Sequence, residues 1–578
     1  MNVSLEYERW IQNPNLPKNL RDELESIRTD ERAIYDRFYQ DLEFGTGGLR
    51  GVLGAGLNRM NIFTVRRASL GLAKWVARSE PDAAKRSVVV GYDCRRMSTE
   101  FALEVGLVMA EAGIRAHVFT HLCPTPELSF AVRELGASTG VMITASHNPP
   151  EYNGYKVYGP DGCQVLPDAA SDITSLIESI SDIFAVPVMG KDEAEAKGLL
   201  AWVSSEIDHR YCDRVMREIR IHGVTDEQRA DVRVVYTPLH GTGYIPVKTV
   251  LGEMGYKQAY IVPEQAEPDG EFRTVKSPNP EEHDALKLAI EAARRQNADV
   301  VMGTDPDADR VGVAVRTATG EYRLLSGNQT GGLLLDFLLK QRKAEGKMPT
   351  NPIVFKTIVT SELGAAIARR HSVAVEDTLT GFKYIGERIG HYERTGEKTF
   401  LFGYEESYGY LISPFVRDKD AVQSCLLIAE MAAWYKSRGL TLADGLEQLF
   451  SEVGWYAEQL ISVTMPGADG VAKIQAAING LREQPIEVDG LVLTAVEDYE
   501  TRMRKARSNS NSDWSSEPLH LPQSDVIRYL FEGGSWLAVR PSGTEPKMKI
   551  YLGAKAATKD GCEEILQSLN HAVQRLKA

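Results

Sequence analysis

The stretch Val141-Met142-Ile143-Thr144-Ala145-Ser146-His147-Asn148-Pro149-Pro150 decides how the chain is read. Val141 to Ile143 is an apolar run of the kind that ends a buried strand. The asparagine and two prolines that follow cannot prolong a strand or a helix. A short loop therefore holds a hydroxyl and an imidazole side by side, just past the carboxyl end of a strand, where open α/β sheets bind ligands. Lys156 stands ten positions beyond Ser146, on a continuation from Tyr152 to Tyr158 that reads as more loop. A nucleophilic hydroxyl with a cation nearby suits phosphoryl chemistry. A serine-hydrolase site is excluded, because no G-x-S-x-G elbow surrounds Ser146. His147 is its sequence neighbour and need not turn its ring toward the hydroxyl. It equally reads as a hydrogen-bonded loop residue.

Outward from this loop the chain alternates strands and helices. Ser87–Tyr92 predicts a strand, Thr99–Ala112 a helix with a Thr or Ser cap, Ala116–Thr120 a strand, and Pro124-Thr125-Pro126 the start of the next helix. The rhythm restarts at Ala230–Tyr236, Ala259–Val262 and Ala298–Met302. It restarts again at Asn351–Phe355, Ser361–Arg370 (helix), Val373–Glu376 and Thr399–Phe402. Such alternation implies mostly parallel sheets and three related α/β domains. Residues 1–43 predict charged helices. After the helix Asp420–Ser437, strands at Gln459–Thr464, Trp536–Val539 and Met548–Tyr551 predict a smaller α+β domain joined near residue 455, with Ser508–Glu517 as an exposed loop. The resulting segmentation is 1–208, 209–325, 326–455 and 456–578.

At 578 residues the chain is too long for one core. With 43% hydrophobic and 25% charged residues it is an ordinary globular composition, which excludes disorder and fibrous classes. The net charge of -14 argues against a nucleic-acid surface while leaving local anion sites open. Six scattered cysteines without a C-x-x-C pair exclude a zinc or redox motif and suit a reduced compartment. Residues 1–10 lack signal-peptide features, and no apolar run approaches a bilayer span, so the expected location is the cytoplasm.

Four further stretches carry chemistry. Gly303-Thr304-Asp305-Pro306-Asp307-Ala308-Asp309-Arg310 follows the apolar Val300-Val301-Met302. Carboxylates at alternate positions can converge on one hard cation, and an all-oxygen set suits Mg²⁺ with a phosphate as further ligand. An EF-hand also opens D-x-D-x-D, but its sixth and twelfth positions would be Arg310 and Arg316 instead of Gly and Glu, so that loop is excluded. The plainer reading is a solvated acidic turn, which would leave three aspartates repelling one another. Phe44-Gly45-Thr46-Gly47-Gly48-Leu49-Arg50-Gly51 allows backbone amides and a guanidinium to grip an anion, and equally reads as a glycine-rich turn with a surface arginine. In Gly403-Tyr404-Glu405-Glu406-Ser407-Tyr408-Gly409, Glu405 and Ser407 can bond adjacent sugar hydroxyls; taken alone, a solvated turn is the commoner explanation. Arg540-Pro541-Ser542-Gly543-Thr544-Glu545-Pro546-Lys547 offers guanidinium, hydroxyl and backbone donors without P-loop spacing. It reads as a non-nucleotide phosphate clamp ahead of a plain turn.

These loops, together and in this order, resemble the α-D-phosphohexomutase superfamily. T-A-S-H-N-P-x-x-x-N-G-x-K at 144–156 resembles its phosphoserine loop, D-P-D-A-D-R at 305–310 its metal loop, and G-Y-E-E-S at 403–407 its sugar loop. R-P-S-G-T-E-P at 540–546 resembles its phosphate loop, and F-G-T-G-G-L-R at 44–50 its N-terminal arginine motif. The match spans almost the whole chain. The length and the Y-E-E-S-Y-G form are most similar to the bacterial long-chain phosphoglucomutase and phosphopentomutase subgroup.

The resemblance implies four domains around a central cleft, three of them α/β and the last an α+β domain like the TATA-box-binding protein. It implies that Ser146 carries a phosphoryl group, which with Asp305, Asp307 and Asp309 would hold one Mg²⁺. Arg50, His147, Lys156 and Arg310 match residues around that group. Thr380, Gly381 and Lys383 match a sugar-specificity loop that would act with Glu405 and Ser407, and Arg540, Ser542, Gly543 and Thr544 match phosphate ligands. The implied reaction interconverts glucose 1-phosphate and glucose 6-phosphate through glucose 1,6-bisphosphate. Phosphopentomutase, phosphomannomutase and glucose 1,6-bisphosphate synthase activities share these loops and are the alternatives. The implied partners are sugar phosphates, with no nucleic acid or membrane, and the protein would be a monomer or weak homo-oligomer. Two features depart from the family pattern. Gly409 stands where many bacterial members have histidine, which leaves the general base unassigned. Tyr404 and Tyr408 replace commoner sugar-loop residues and are placed to alter sugar preference.

Overall fold

The computed structural model describes residues 2–45, 47–465, 470–507, 514–541 and 547–577. Four sheets organise them. The first has a parallel centre, Thr139–Ile143, Ser87–Tyr92, Arg115–Phe119 and Leu200–Val203, extended at one edge by the antiparallel strands Tyr152–Tyr158 and Gly48–Val52. Val88, Val89 and Val90 are fully buried, as expected of a strand covered on both faces. The second sheet orders Tyr322–Leu324, Val311–Arg316, Val300–Thr304, Arg233–Thr237 and Gln258–Ile261; the third orders Ala374–Thr378, Pro352–Thr357, Thr399–Glu405 and Gly409–Leu411. Both are parallel in the middle with an antiparallel edge. The α/β expectation holds for all three.

The fourth sheet has seven strands, all antiparallel, from Trp455–Thr464 at one edge to Trp514–Pro518 at the other. Helices Gly470–Glu483 and Lys559–Lys577 pack on it, and the α+β expectation holds. The N-terminal helices Val3–Ile11, Lys18–Ser26 and Glu31–Phe38 bury Trp10, Leu24 and Phe38 against Phe63 of the first α/β unit. Among the described residues no helix is long and apolar enough to cross a membrane, and all six cysteines are free.

Several local expectations are corrected. Gly48–Val52 and Tyr152–Tyr158 are paired strands where a turn and a loop were expected. Gly48 permits the pairing, because a Cβ there would lie 2.1 Å from the Tyr155 carbonyl. The helix Ser98–Glu111 has no Thr or Ser cap; it starts from Met97 with φ 65°, because the Ser98 hydroxyl is drawn to Asp93 Oδ1 at 2.9 Å. The strand expected from Ala230 begins at Arg233. The capping box of Thr225 and Gln228 starts the helix Asp226–Asp231 ahead of it. Trp514–Pro518, expected as loop, is an exposed edge strand paired with Met503–Arg507; residues 508–513 lie outside the described set.

Candidate active site

Ser146 sits at the carboxyl end of Thr139–Ile143 with φ 51°, left-handed for a residue that carries a Cβ. Such backbone stores about 1–2 kcal/mol and persists only when its surroundings over-determine it. Here they do. Thr144 Oγ1 donates to Asp93 Oδ2 at 2.6 Å and accepts from the Ser146 amide at 2.8 Å. The buried guanidinium of Arg95 donates to the carbonyls of Ser146, Asn148, Pro149 and Tyr152. One guanidinium thus gathers four carbonyls of the turn.

The turn presents Ser146 Oγ to the metal loop. The hydroxyl donates to Asp305 Oδ2 at 2.6 Å, and His147 Nδ1 lies 3.2 Å away. The imidazole faces the serine, a point the sequence left open. Burial and the cations Arg310, Arg50 and Lys156 hold His147 well below the ordinary histidine range, so it is neutral at pH 7. Its support of the serine is a hydrogen bond, not a positive charge.

Asp305, Asp307 and Asp309 are buried. One carboxylate oxygen from each lies within 4.8 Å of the other two. Their oxygens divide into held and open. Asp305 Oδ1 accepts from the amides of Asp309 and Arg310, leaving Oδ2 beside Ser146. Asp307 Oδ2 accepts from Lys156 Nζ at 2.7 Å and Thr125 Oγ1 at 2.9 Å. Asp309 Oδ2 lies 3.1 Å from Lys419 Nζ. Asp307 Oδ1 and Asp309 Oδ1 are buried and receive no hydrogen bond from any described N–H or O–H group. Burial, with repulsion from Asp307 and Asp309, pushes the Asp305 carboxyl well up. Open buried oxygens and carboxylates in mutual repulsion are the donor set a hard divalent cation satisfies, so the residues fit the expected metal.

The metal loop is also where the α/β units meet. Three successive carbonyls are each tied to a different part of the chain. Pro306 O accepts from the Thr242 amide, Asp307 O from the Thr125 amide and Ala308 O from the Ala421 amide, at 2.8, 2.8 and 3.1 Å.

Of the remaining expected residues, Arg50, Lys156 and Arg310 stand beside this cluster. Arg50 on Gly48–Val52 reaches Asn148 Oδ1 at 3.2 Å. Lys156 on Tyr152–Tyr158 points at Asp307 and, at 3.6 Å, Asp309. Arg310 pairs with Glu281 at 2.7 Å. The loops expected to bind sugar, around Gly381 and Glu405, are joined, since the Gly381 amide donates to Glu405 Oε1 at 2.9 Å. Glu405 ends a strand, where a loop residue was expected, and burial pushes its carboxyl up to about 7. Thr380 precedes the helix Phe382–Thr395, and burial brings Lys383 in its first turn down to about 8. Ser407 stands on the turn after Glu405. Tyr404 is a correction: it is fully buried, packed on Gly331 and Gly364, and does not reach the cleft. Arg540 bonds Tyr551 Oη and lies across the sheet from Lys549. Ser542, Gly543 and Thr544 lie outside the described residues.

Reading the sequence missed Lys419, Thr125, Arg95 and Lys549. Lys419 belongs to Arg417-Asp418-Lys419-Asp420, four charged residues that are all buried ahead of the helix Ala421–Lys436. A run of charges directly before an apolar helix was the available signal.

Comparison with known proteins follows this geometry. Models of the phosphoglucomutase/phosphomannomutase alpha/beta/alpha domains I, II and III match residues 41–183, 209–320 and 326–453, and its C-terminal domain matches 460–568. The chain belongs to the phosphoglucomutase/phosphomannomutase family. It is 41% identical over 534 residues to a phosphoglucomutase of Staphylococcus epidermidis, covering 92% of this chain and 93% of that protein. It is 37% identical over 573 residues to a phosphoglucomutase of Staphylococcus aureus, covering 98% of each. The fold is similar to that of a putative phosphomannomutase from Thermus thermophilus, with TM-score 0.68 and 21% identity over 93% of this chain and 99% of that one. The resemblance carried by the motifs is borne out.

Proposed function

We propose that the protein is a mutase that interconverts glucose 1-phosphate and glucose 6-phosphate through a phosphoserine at Ser146 and a glucose 1,6-bisphosphate intermediate. The observation that carries this reading is Ser146 Oγ held 2.6 Å from Asp305 within a buried three-carboxylate cluster. Relatives named phosphoglucomutase support glucose as the sugar.

Phosphoryl transfer asks for positioning and charge neutralisation more than covalent work. Asp305, Asp307, Asp309 and the phosphoryl group on Ser146 would hold one Mg²⁺, which would draw charge off that group. Arg50, Arg310, Lys156 and Lys419 surround it with cations, and His147 donates or accepts at Oγ. Glu405, Ser407, Thr380, Gly381 and Lys383 would bind the sugar. Arg540 and Lys549, with Ser542, Gly543 and Thr544, would hold the distal phosphate. In the first transfer the bond from phosphorus to Ser146 Oγ breaks as one to the sugar 6-oxygen forms, and the 6-hydroxyl proton passes to a basic group beside it. After the bisphosphate turns over, the bond from phosphorus to the sugar 1-oxygen breaks, Ser146 Oγ takes that phosphoryl group and the 1-oxygen takes up a proton. The four units at 1–208, 209–325, 326–455 and 456–578 would enclose that turnover. The protein would act in the cytoplasm on sugar phosphates, as a monomer or weak homo-oligomer.

Side-by-side assays on glucose, mannose and ribose 1-phosphates test the sugar; preference for either of the last two would overturn the glucose reading. Ser146→Ala should abolish mutase turnover with the fold retained. Near-normal activity would sink the phosphoserine.

A further inference from the structure

We propose that Thr125 is a positioning residue for the metal loop: from the first α/β unit it fixes which oxygen of Asp307 faces the cation. The inference rests on reading Asp305, Asp307 and Asp309 as cation ligands.

Thr125 is fully buried at the start of the helix Thr125–Glu134, after Pro124. The first amides of a helix have no partner within it. The Thr125 amide finds one across the unit boundary, donating to Asp307 O at 2.8 Å. Its hydroxyl donates to Asp307 Oδ2 at 2.9 Å. One residue therefore holds both the backbone and the side chain of a single aspartate in another unit. The amide bond alone could serve the helix start; the hydroxyl bond to the carboxylate goes beyond it.

The consequence lies in the other oxygen. Thr125 and Lys156 are two donors converging on Oδ2. Turning the carboxylate would break both bonds at once, so Oδ1 stays the buried oxygen that receives no hydrogen bond from a described donor, on a carboxylate clustered with those of Asp305 and Asp309. Lys156 alone could not impose this. Its ammonium is a point charge on a flexible stem and is also shared with Asp309 at 3.6 Å. The short, β-branched threonine has one stiff χ1 and a directional donor. Partners of this kind, behind the direct ligands, typically set metal affinity within a factor of about 10 to 100.

Thr125→Val keeps the shape and removes the hydroxyl, while Thr125→Ser keeps the hydroxyl. Mn²⁺ serves as the probe, with free ion followed by electron paramagnetic resonance on the full chain without sugar phosphate. The dissociation constant of Thr125→Val should rise about tenfold, and Thr125→Ser should stay close to the wild type. Melting temperatures in chelator should agree among the three; if Thr125→Val fails to fold, Thr125→Ala takes its place. In turnover, the Mg²⁺ concentration for half-activation should rise in the hydroxyl-free variant while KM for glucose 1-phosphate holds. Wild-type Mn²⁺ affinity in the variant without the hydroxyl would overturn the inference alone. A wild-type protein that binds no Mn²⁺ would overturn the metal reading and this inference with it.

Discussion

Lys419 lies over the Cα of Gly409. A Cβ on that glycine would fall 2.0 Å from Lys419 Cδ and 2.7 Å from its Cγ. The ammonium continues to Asp309 Oδ2 at 3.1 Å and Asp418 Oδ1 at 2.9 Å. The position where many bacterial relatives were expected to carry a histidine is thus filled by a lysine from the next loop, and no side chain fits at residue 409 while Lys419 stays. Lys419→Met should lower kcat about 100-fold, the usual loss when a preorganised charge partner is removed. Gly409→Ala should lower it too, by displacing the same ammonium. Steady-state kinetics with saturating glucose 1-phosphate and its bisphosphate measure both, and an unaffected Lys419→Met would place Lys419 outside the reaction.

A second close contact sets the sugar loop. Gly327 opens the helix Gly327–Ala344, and a Cβ there would meet the Glu406 carbonyl at 2.0 Å. The obstacle is backbone, so the turn bearing Glu405 and Ser407 would have to move. A displacement of about 1 Å in a substrate-positioning group can cost about 100-fold in rate. Gly327→Ala should therefore depress kcat/KM by roughly 10- to 100-fold with Mn²⁺ affinity unchanged. Equal losses in metal affinity would show that the sugar and metal loops do not move independently.

The parts of the fold legible in the sequence were those where a local pattern and the tertiary structure agree. Val88–Val90 and Val300–Met302 are apolar because they are covered on both faces, and the loops after them end where the chain reaches the cleft. The edge strand Gly48–Val52 was hidden because three glycines read as a turn; only the close approach of Tyr155 explains Gly48. The cluster of aspartates announced itself by spacing. Thr125, Arg95 and Lys419 did not, because each reaches its partner across tens to hundreds of residues, and a hydroxyl after a proline or a charge before a helix has many ordinary meanings. Tyr404 misled for the opposite reason: it lies within the motif but faces the core.

Glu458 predicts a pH dependence of stability. Its carboxyl, on Trp455–Thr464 where the fourth sheet begins, bonds Ser361 and Asn328 of the third unit, and burial pushes it up to about 7. The folded protein therefore keeps a proton that the unfolded chain releases near the ordinary glutamate value. That contribution is fully present below the unfolded value and is lost as pH rises through about 7. Glu458→Gln carries no titrating proton. Its melting temperature should exceed that of the wild type at pH 8 by a few degrees, and the difference should shrink toward pH 5. Parallel melting curves across that range would show that Glu458 does not titrate on folding.

Arg528 is a buried polar link between the fourth sheet and the third unit. Its guanidinium lies 2.9 Å from Glu362 and 3.5 Å from Glu497, stacked 5.2 Å over the Trp536 ring. Lys356 and Arg528 together hold Glu362 at about 2, well below the ordinary range, despite its burial. Removing Arg528 leaves Lys356, 3.0 Å from both Glu362 and Asp377, as their one close cation among the described residues, and the half-buried carboxylates lose about 1–3 kcal/mol of pairing. The loss can be relieved by separating the two units, because that exposes further the half-buried Glu362 and Asp377, the latter 4.0 Å from Arg528. Arg528→Met should thus favour a more open molecule, seen as a larger radius of gyration in small-angle scattering. Arg540 and Lys549 ride on the same sheet, so the variant should lose affinity for the distal phosphate and raise KM more than it lowers kcat. Arg528→Lys keeps the charge but not the planar stack on Trp536 and should fall between the two. A variant destabilised but unchanged in scattering and KM would mean that the pair supports the fold without governing closure.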